Sequence, residues 1–365
     1  MPTPRDHERV DNVRKIAVVR AGGLGDLIFI LPALDALRVA YSEARITLLA
    51  EAWHEKFLSG RPRPPDRVVV VPPYTGVSGP DTGVREDEEE LERFFARMRD
   101  ERFDLALQMH GGGGNSNSFI RRFEPRVAVG PRAPGAPPLD RYIPYYVLQP
   151  EVSRHLEVAA LVGAETVSLE PRLAVTGADV VEASGVVSEG DGPLAALHPS
   201  AGDERRRWPP EKFATVGDAL VDAGARVAVV GVEEDRNLVS GVVETMHREA
   251  LNLCGRLSLG GLAGLLSRCA VVVSNDSGPL HLARAVGAAT VGIYWGPNLI
   301  TAGPFTRARH RPALSWRPDC PVCGASLYGG DCEHRASVVA DVPLEEVKSS
   351  ALDLLASEAA SSSPY

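Results

Sequence analysis

Residues 15–40 read KIAVVRAGGLGDLIFILPALDALRVA. Ile16, Ala17, Val18 and Val19 run on without polar alternation, as expected of a strand buried on both faces of a parallel sheet. A glycine-rich turn follows, then a long apolar helix whose first turn holds Asp26. Strand, tight turn and helix in that order open a doubly wound α/β sheet. Ligands of such sheets sit outside the carboxyl ends of the strands, so this turn is a candidate site. Gly22, Gly23 and Gly25 let the backbone turn tightly and approach a substrate. Asp26 has two readings, an N-cap of the helix or a general base at the mouth of a cleft. Gly23-x-Gly25 also imitates a dinucleotide fingerprint with Glu51 as ribose acid, but Ile28 stands where the third glycine belongs.

The same pattern repeats outward from this unit. Apolar, β-branched runs at 16–20, 46–50, 68–71, 105–109 and 126–129 are predicted strands of a first half. Runs at 194–198, 226–231, 271–274 and 290–294, with a short one near 251–253, are those of a second. Amphipathic or Ala/Leu-rich segments between them predict helices and right-handed crossovers, hence two doubly wound sheets. The small, acidic stretch 177–193 (GADVVEASGVVSEGDGP) suits an interdomain connection. The expected organisation is therefore a domain over 1–176, a linker over 177–193 and a domain over 194–342. A C-terminal helix and frayed tail over 343–365 complete it. Loops at 62–65 and 71–83 are rich in Pro and Gly, and the acidic run 86–92 is expected to open a helix.

The chain's 365 residues suit two domains of ordinary size, and its 44% hydrophobic and 24% charged residues are those of a globular protein. No apolar run approaches the roughly 20 residues that span a bilayer. The polar opening residues lack the apolar core of a secretory signal, so a cytoplasmic protein is expected. With 39 basic and 48 acidic residues the net charge is -9, which argues against a general affinity for nucleic acid. Only four of the basic residues are lysines (Lys15, Lys56, Lys212, Lys348), so an anion site here is expected to use Arg.

In the second half, His198-Pro199-Ser200-Ala201-Gly202 follows a strand. Arg205-Arg206-Arg207-Trp208-Pro209-Pro210 then leads into a helix. Small residues leave room for a ligand, and cations upstream of a helix N-terminus reinforce a site that already favours anions. The strand at 271–274 runs into Asn275-Asp276-Ser277-Gly278-Pro279-Leu280-His281, where Pro279 fits a first helical turn and the amides of Ser277 and Gly278 suit a diphosphate. Glu233 and Glu234 stand where an acid would accept hydrogen bonds from ribose hydroxyls, or are surface acids.

Taken together, these segments resemble the ADP-heptose:lipopolysaccharide heptosyltransferases, the family 9 glycosyltransferases. The residues that carry the resemblance are VVRAGGLGDLIFILPALDALR, HPSAG, RRRWPPEKF, VVGVEED and SNDSGPLHLARAVG, in this order from about Lys15 to Tyr294. The resemblance implies the GT-B fold, two Rossmann-like domains facing across a cleft, with acceptor on the first and nucleotide sugar on the second. It implies an inverting, metal-independent transfer from an ADP-sugar, with Asp26 as the base that deprotonates an acceptor hydroxyl. Ser200, Asp276, Ser277 and Gly278 match diphosphate contacts, His281 the histidine of the same motif, Glu234 the ribose-binding acid and Leu257 the apolar neighbour of adenine. Arg206 takes a place usually held by Lys, keeping the charge and altering the hydrogen-bond geometry. Ser200 stands where the family usually has Gly. No cofactor is required. The implied acceptor is lipid-linked and met at the inner face of the cytoplasmic membrane, with a small metabolite as the alternative. Gly23-x-Gly25 and Glu51 keep open a NAD(P)-dependent oxidoreductase, and a non-catalytic sugar-nucleotide binding or scaffold protein is a third reading, against which Asp26, the basic residue before Trp208 and His281 count.

Cys320-x-x-Cys323 and Cys332-x-His334 supply four soft ligands beyond the second domain's last predicted strand. The first pair has zinc-ligand spacing, while the second is tighter than in a usual knuckle. Structural zinc, reduced thiols and a local disulfide are the alternatives.

Overall fold

The computed structural model describes residues 8–62, 64–79, 85–328 and 332–361. Parts of the Pro- and Gly-rich loops expected at 62–65 and 71–83, and the tail beyond 361, lie outside the described residues. The chain divides into two compact units, 1–174 and 175–365.

The first unit alternates strands and helices: β1 (Lys15–Val19), α1 (Leu24–Ala40), β2 (Arg45–Ala50), α2 (Ala52–Leu58), β3 (Arg67–Val70) and α3 (Glu88–Glu101). It continues with β4 (Leu105–Gln108), α4 (Ser116–Arg121), β5 (Val127–Arg132), β6 (Arg141–Pro144) and α5 (Glu151–Ala160). All six strands are parallel, in the order β3-β2-β1-β4-β5-β6. One layer of the core is aromatic. Phe94 and Phe95 of α3 meet Phe119 of α4 and Phe123 behind the sheet, with ring centroids 5.1–6.3 Å apart. Burial of each such ring stabilises by about 1.5–3 kcal/mol. As the acidic run predicted, α3 begins at Glu88, with Asp87 accepting from the Glu90 N–H at 3.0 Å as its cap.

The second unit contains α6 (Gly177–Val186), β7 (Leu194–His198), α7 (Pro210–Asp222), β8 (Arg226–Val229), α8 (Arg236–Thr245) and β9 (Ala250–Asn252). It goes on through α9 (Leu259–Ser267), β10 (Cys269–Asn275), α10 (Gly278–Ala285), β11 (Ala289–Trp295), α11 (Gly296–Ala302), β12 (His310–Ser315) and α12 (Leu344–Ser361). Its sheet order is β12-β11-β10-β7-β8-β9, again all parallel. Counted from each unit's first strand, both sheets run 3-2-1-4-5-6, the Rossmann order.

Two elements depart from the expected organisation. The stretch 177–193 begins as a helix, α6, closed by a Thr176–Asp179 capping box and packed against α9. The close packing is allowed by the glycines of α9, which lie against Asp179 and Glu182 of α6. A Cβ at Gly264 of α9 would lie 2.2 Å from the Asp179 carbonyl oxygen of α6. The C-terminal helix, expected beyond the second domain, packs on α7 and β10 through Val347, Ala351, Leu354 and Leu355 and is part of that unit's core.

Candidate active site

In each sheet the strand order reverses between two central strands, β1 and β4 in the first, β7 and β10 in the second. The crevice beyond their carboxyl ends is where such folds bind ligands, and both crevices are lined with polar groups.

In the first unit Gly23, not Asp26, is the N-cap of α1. Asp26 is the third helical residue and its Oδ2 accepts from the Gly23 N–H at 2.8 Å. Its side chain is 41% exposed, so the carboxylate stays open to a ligand. Gly22 is small because it must be: a Cβ there would stand 2.5 Å from Asp26 Oδ2. The other carboxylate oxygen, Oδ1, accepts from Arg20, which ends the β1 run.

Arg20 is buried, and it also donates to the Met109 carbonyl at 2.8 Å across the reversal point. Its guanidinium lies 3.7 Å from Glu151 Oε2 at the start of α5. Glu151 in turn pairs with Arg154 and lies 3.3 Å from His155 Nε2. Two guanidinium groups and two carboxylates thus balance one another, as buried charges must. Burial alone would raise the Glu151 carboxyl. The hydrogen bond from His155 and the charges of Arg20 and Arg154 outweigh it and hold the group below its ordinary range.

Arg20, Glu151, Arg154 and His155 were missed by sequence reasoning. The available signals were an Arg closing an apolar strand and the E-x-x-R-H spacing, which places all three side chains on one helix face. Between β4 and α4, His110 precedes a run of four glycines, Gly111–Gly114, and feels the charges of Arg20 and Asp26.

Burial pushes His54, His110 and His155, and His198 of the second unit, down to about 4. In the unfolded chain such rings take up a proton near pH 6.5. Between those values the unfolded state holds more protons, so stability falls as pH drops from about 6.5 towards 4 and is indifferent to these groups above. The denaturant midpoint is expected to be lower at about pH 5 than at about pH 7. Equal midpoints would mean that these rings are not held neutral in the fold.

The second unit assembles most of the residues its sequence singled out. Arg206 closes a short 3-10 turn (Glu204–Arg206) and its Nη1 donates to Asp276 Oδ2 at 3.0 Å. Asp276 Oδ1 faces His281 Nε2 at 3.1 Å, and the Asp276 side chain is 3% exposed. Burial holds His281 below its ordinary value, against the pull of the hydrogen bond and charge of that carboxylate. The Asp276 N–H is spent on the Ile293 carbonyl at 2.9 Å. The Asp276 carboxylate thus stands between Arg206 and His281, holding Arg206 with one oxygen and meeting His281 with the other.

Ser277 and Gly278 head α10, at positions whose N–H groups have no intrahelical acceptor. The Ser277 hydroxyl lies 3.2 Å from His198 Nδ1, which also lies 3.2 Å from Ser274 Oγ. Ser200 is buried and donates to Asp235 Oδ1, tying the HPSAG turn to the turn that carries Glu234. Glu234 is exposed on that turn and Leu257 half-buried in the loop before α9.

Asn275, which sequence reasoning passed over, staples the site. Its Oδ1 accepts from the Trp208 N–H at 3.0 Å and its Nδ2 donates to the Pro199 carbonyl at 2.7 Å. Lys212 is occupied elsewhere, donating to the carbonyls of Ala340 and Val342. Of the three arginines of the turn, Arg205 pairs with Asp203 and Arg207 lies beside Glu204, while Arg206 alone pairs with Asp276 at the head of α10. A larger cavity of about 630 Å³, beside Arg226, Arg248 and Leu251, opens at the opposite ends of β8 and β9 and brings no such grouping together.

Two Rossmann-ordered sheets, each with its polar residues at the reversal point, are the GT-B fold. Residues 91–310, more than half of the chain, match the family model described as glycosyltransferase family 9 (heptosyltransferase). The chain belongs to that family. Lipopolysaccharide heptosyltransferase 2 of Escherichia coli (strain K12) is 25% identical over 305 residues, covering 78% of this chain and 83% of that protein. The crystal structure of the glycosyl transferase family 9 from Veillonella parvula DSM 2008 has the same fold, with a TM-score of 0.78, 20% identity and coverage of 96% and 99% of the two chains. E. coli heptosyltransferase WaaC with ADP aligns at a TM-score of 0.63 and 17% identity over 82% of this chain and 93% of that one.

Proposed function

We propose that the protein transfers a heptose from an ADP-sugar to a hydroxyl of a lipopolysaccharide-type acceptor, by one displacement that inverts the anomeric carbon. The observation that carries this reading is Arg206, held by Asp276 beside the amides of Ser277 and Gly278. The relatives named heptosyltransferases, one of them solved with ADP, support the donor class.

The acceptor oxygen attacks the anomeric carbon as the bond to the β-phosphate oxygen breaks, and ADP leaves. Asp26 takes the hydroxyl proton. Charge grows on the β-phosphate and is met by the Arg206 guanidinium, whose Nη1 alone is engaged by a hydrogen bond among the described residues, and by the α10 amides. Glu234 would accept from the ribose hydroxyls and Leu257 would lie beside the base. No metal takes part in the transfer. A lipid-linked acceptor would bring the protein to a membrane surface, although no helix among the described residues is long and apolar enough to cross one.

A panel of ADP-heptose, other ADP-sugars, UDP-sugars and NAD, offered with lipid-linked and soluble acceptors, tests the reading. Transfer from ADP-heptose to the lipid-linked acceptor is expected. Transfer only to a soluble acceptor would replace the acceptor class, and NAD turnover would replace the reaction. Gly22→Ala provides a finer check, since the new methyl would displace the Asp26 carboxylate. It is expected to lower kcat and leave ADP affinity unchanged. An unchanged kcat would argue against Asp26 as the base.

A further inference from the structure

The loop after β12 gathers Cys320, Cys323, Cys332 and His334, with their ligand atoms all within 4.8 Å of one another. A tetrahedral zinc ion, with bonds of about 2.3 Å to sulfur and about 2.0 Å to nitrogen, needs ligand separations of about 3.5–3.8 Å. Cys323 Sγ and Cys332 Sγ are 3.6 Å apart, and Cys332 Sγ and His334 Nδ1 3.5 Å. A disulfide needs about 2.05 Å, and these cysteines are all unpaired. The Cys320–Cys323 turn is closed by the Gly324 N–H on the Cys320 carbonyl at 2.9 Å, and it aims the Val322 N–H at the Cys320 sulfur at 3.4 Å. Amides so aimed support a thiolate ligand.

The chain just after the ligands grips the Arg205–Arg207 turn, and the chain between them packs on Trp295. Ser337 Oγ donates to the Arg207 carbonyl at 2.6 Å, and the Val338 N–H to that of Arg205 at 2.7 Å. Tyr328 packs its ring 5.5 Å from that of Trp295. Leu327 and Val338 wall a cavity of about 300 Å³ opposite Arg205, Arg206, Trp295 and Asn298, and Asp203, paired with Arg205 at 2.7 Å, lines it too.

We propose that Cys320, Cys323, Cys332 and His334 hold one structural Zn²⁺ that fixes Leu327 and Val338 as a wall of the pocket beside Arg206. Three thiolates and an imidazole around one centre suit zinc. All four ligands come from the protein, so the ion carries no open position for catalysis. The ligand assignment stands by itself, whereas the effect on the pocket rests on the proposed donor chemistry.

The full chain, purified without chelator, is assayed for metals by mass spectrometry and for ADP binding by calorimetry. One zinc per chain is expected, lost in Cys332→Ser and kept in Cys332→His. Loss of the ion is expected to raise the ADP dissociation constant about tenfold, the worth of one charge-assisted hydrogen bond, and Cys332→His is expected to restore it. Should Cys332→Ser not fold, wild-type protein stripped by a mercurial and chelator, then reloaded with Zn²⁺, takes its place. Absence of metal, iron in place of zinc, or zinc retained after Cys323 and Cys332 are both changed to Ser would overturn the site. Zinc loss without change in ADP affinity would overturn the link to the pocket. A zinc-loaded wild type that binds no ADP would sink the donor reading and leave the zinc site standing.

Discussion

Asp26→Asn is expected to bind ADP as the wild type does and to lose transfer by about 10²–10⁴-fold, the usual worth of a general base. The substitution is close to isosteric. An amide oxygen can still accept from the Gly23 N–H, so the first turn of α1 and the glycine loop keep their geometry. What disappears is the ability to take a proton from the acceptor. ADP binding tests the other unit, where the nucleotide contacts are proposed, and so separates lost chemistry from lost folding. Arg20 makes the test sharper. It loses an anionic partner but retains Glu151 and the Met109 carbonyl, so the buried guanidinium is not stranded. Wild-type-like kcat in this variant would refute the base assignment.

Arg206→Ala is expected to reduce transfer by about 10²–10³-fold, the scale of removing one donor from a site where charge develops. Here ADP affinity should fall as well, because the same guanidinium meets the diphosphate in the ground state. Arg206→Lys should recover part of both. It restores a cation at the place where the family resemblance puts Lys, without the forked geometry of Arg. The Ala variant also leaves the buried Asp276 carboxylate with His281 alone, so a denaturation curve is needed beside the kinetics. Undiminished kcat and ADP affinity in the folded variant would remove Arg206 from the mechanism.

Most of the central architecture was readable before folding was considered. The strands that form β1, β2, β4, β7, β8, β10 and β11 are apolar on both faces, and that leaves a near-continuous Val, Ile and Leu signature. The two strands missed, β6 and β12, lie at sheet edges and contain Pro144 and Pro312. Edge strands are paired on one side only and tolerate Pro, so neither pattern nor propensity announces them. The stretch 177–193 misled for a different reason. Small residues mark both a flexible connection and a helix face that must approach another closely, and only the glycine face of α9 tells the two apart.

The sequence by itself determined which segments form the crevices. Gly22–Asp26, Arg205–Trp208 and Asn275–His281 each follow a central strand, and chain order alone places them at its carboxyl end. Only the tertiary structure decided what their side chains do. Asp276 meets His281 five residues on with one carboxylate oxygen and with the other holds Arg206, 70 residues away in the chain. Asp26 shares Arg20 with Glu151, which comes from a helix beyond the last strand of its sheet. A parallel sheet fixes where strands end through local patterning. The partners of a buried charge depend on which helices converge there, because desolvation obliges each charge to find its counterpart across the fold.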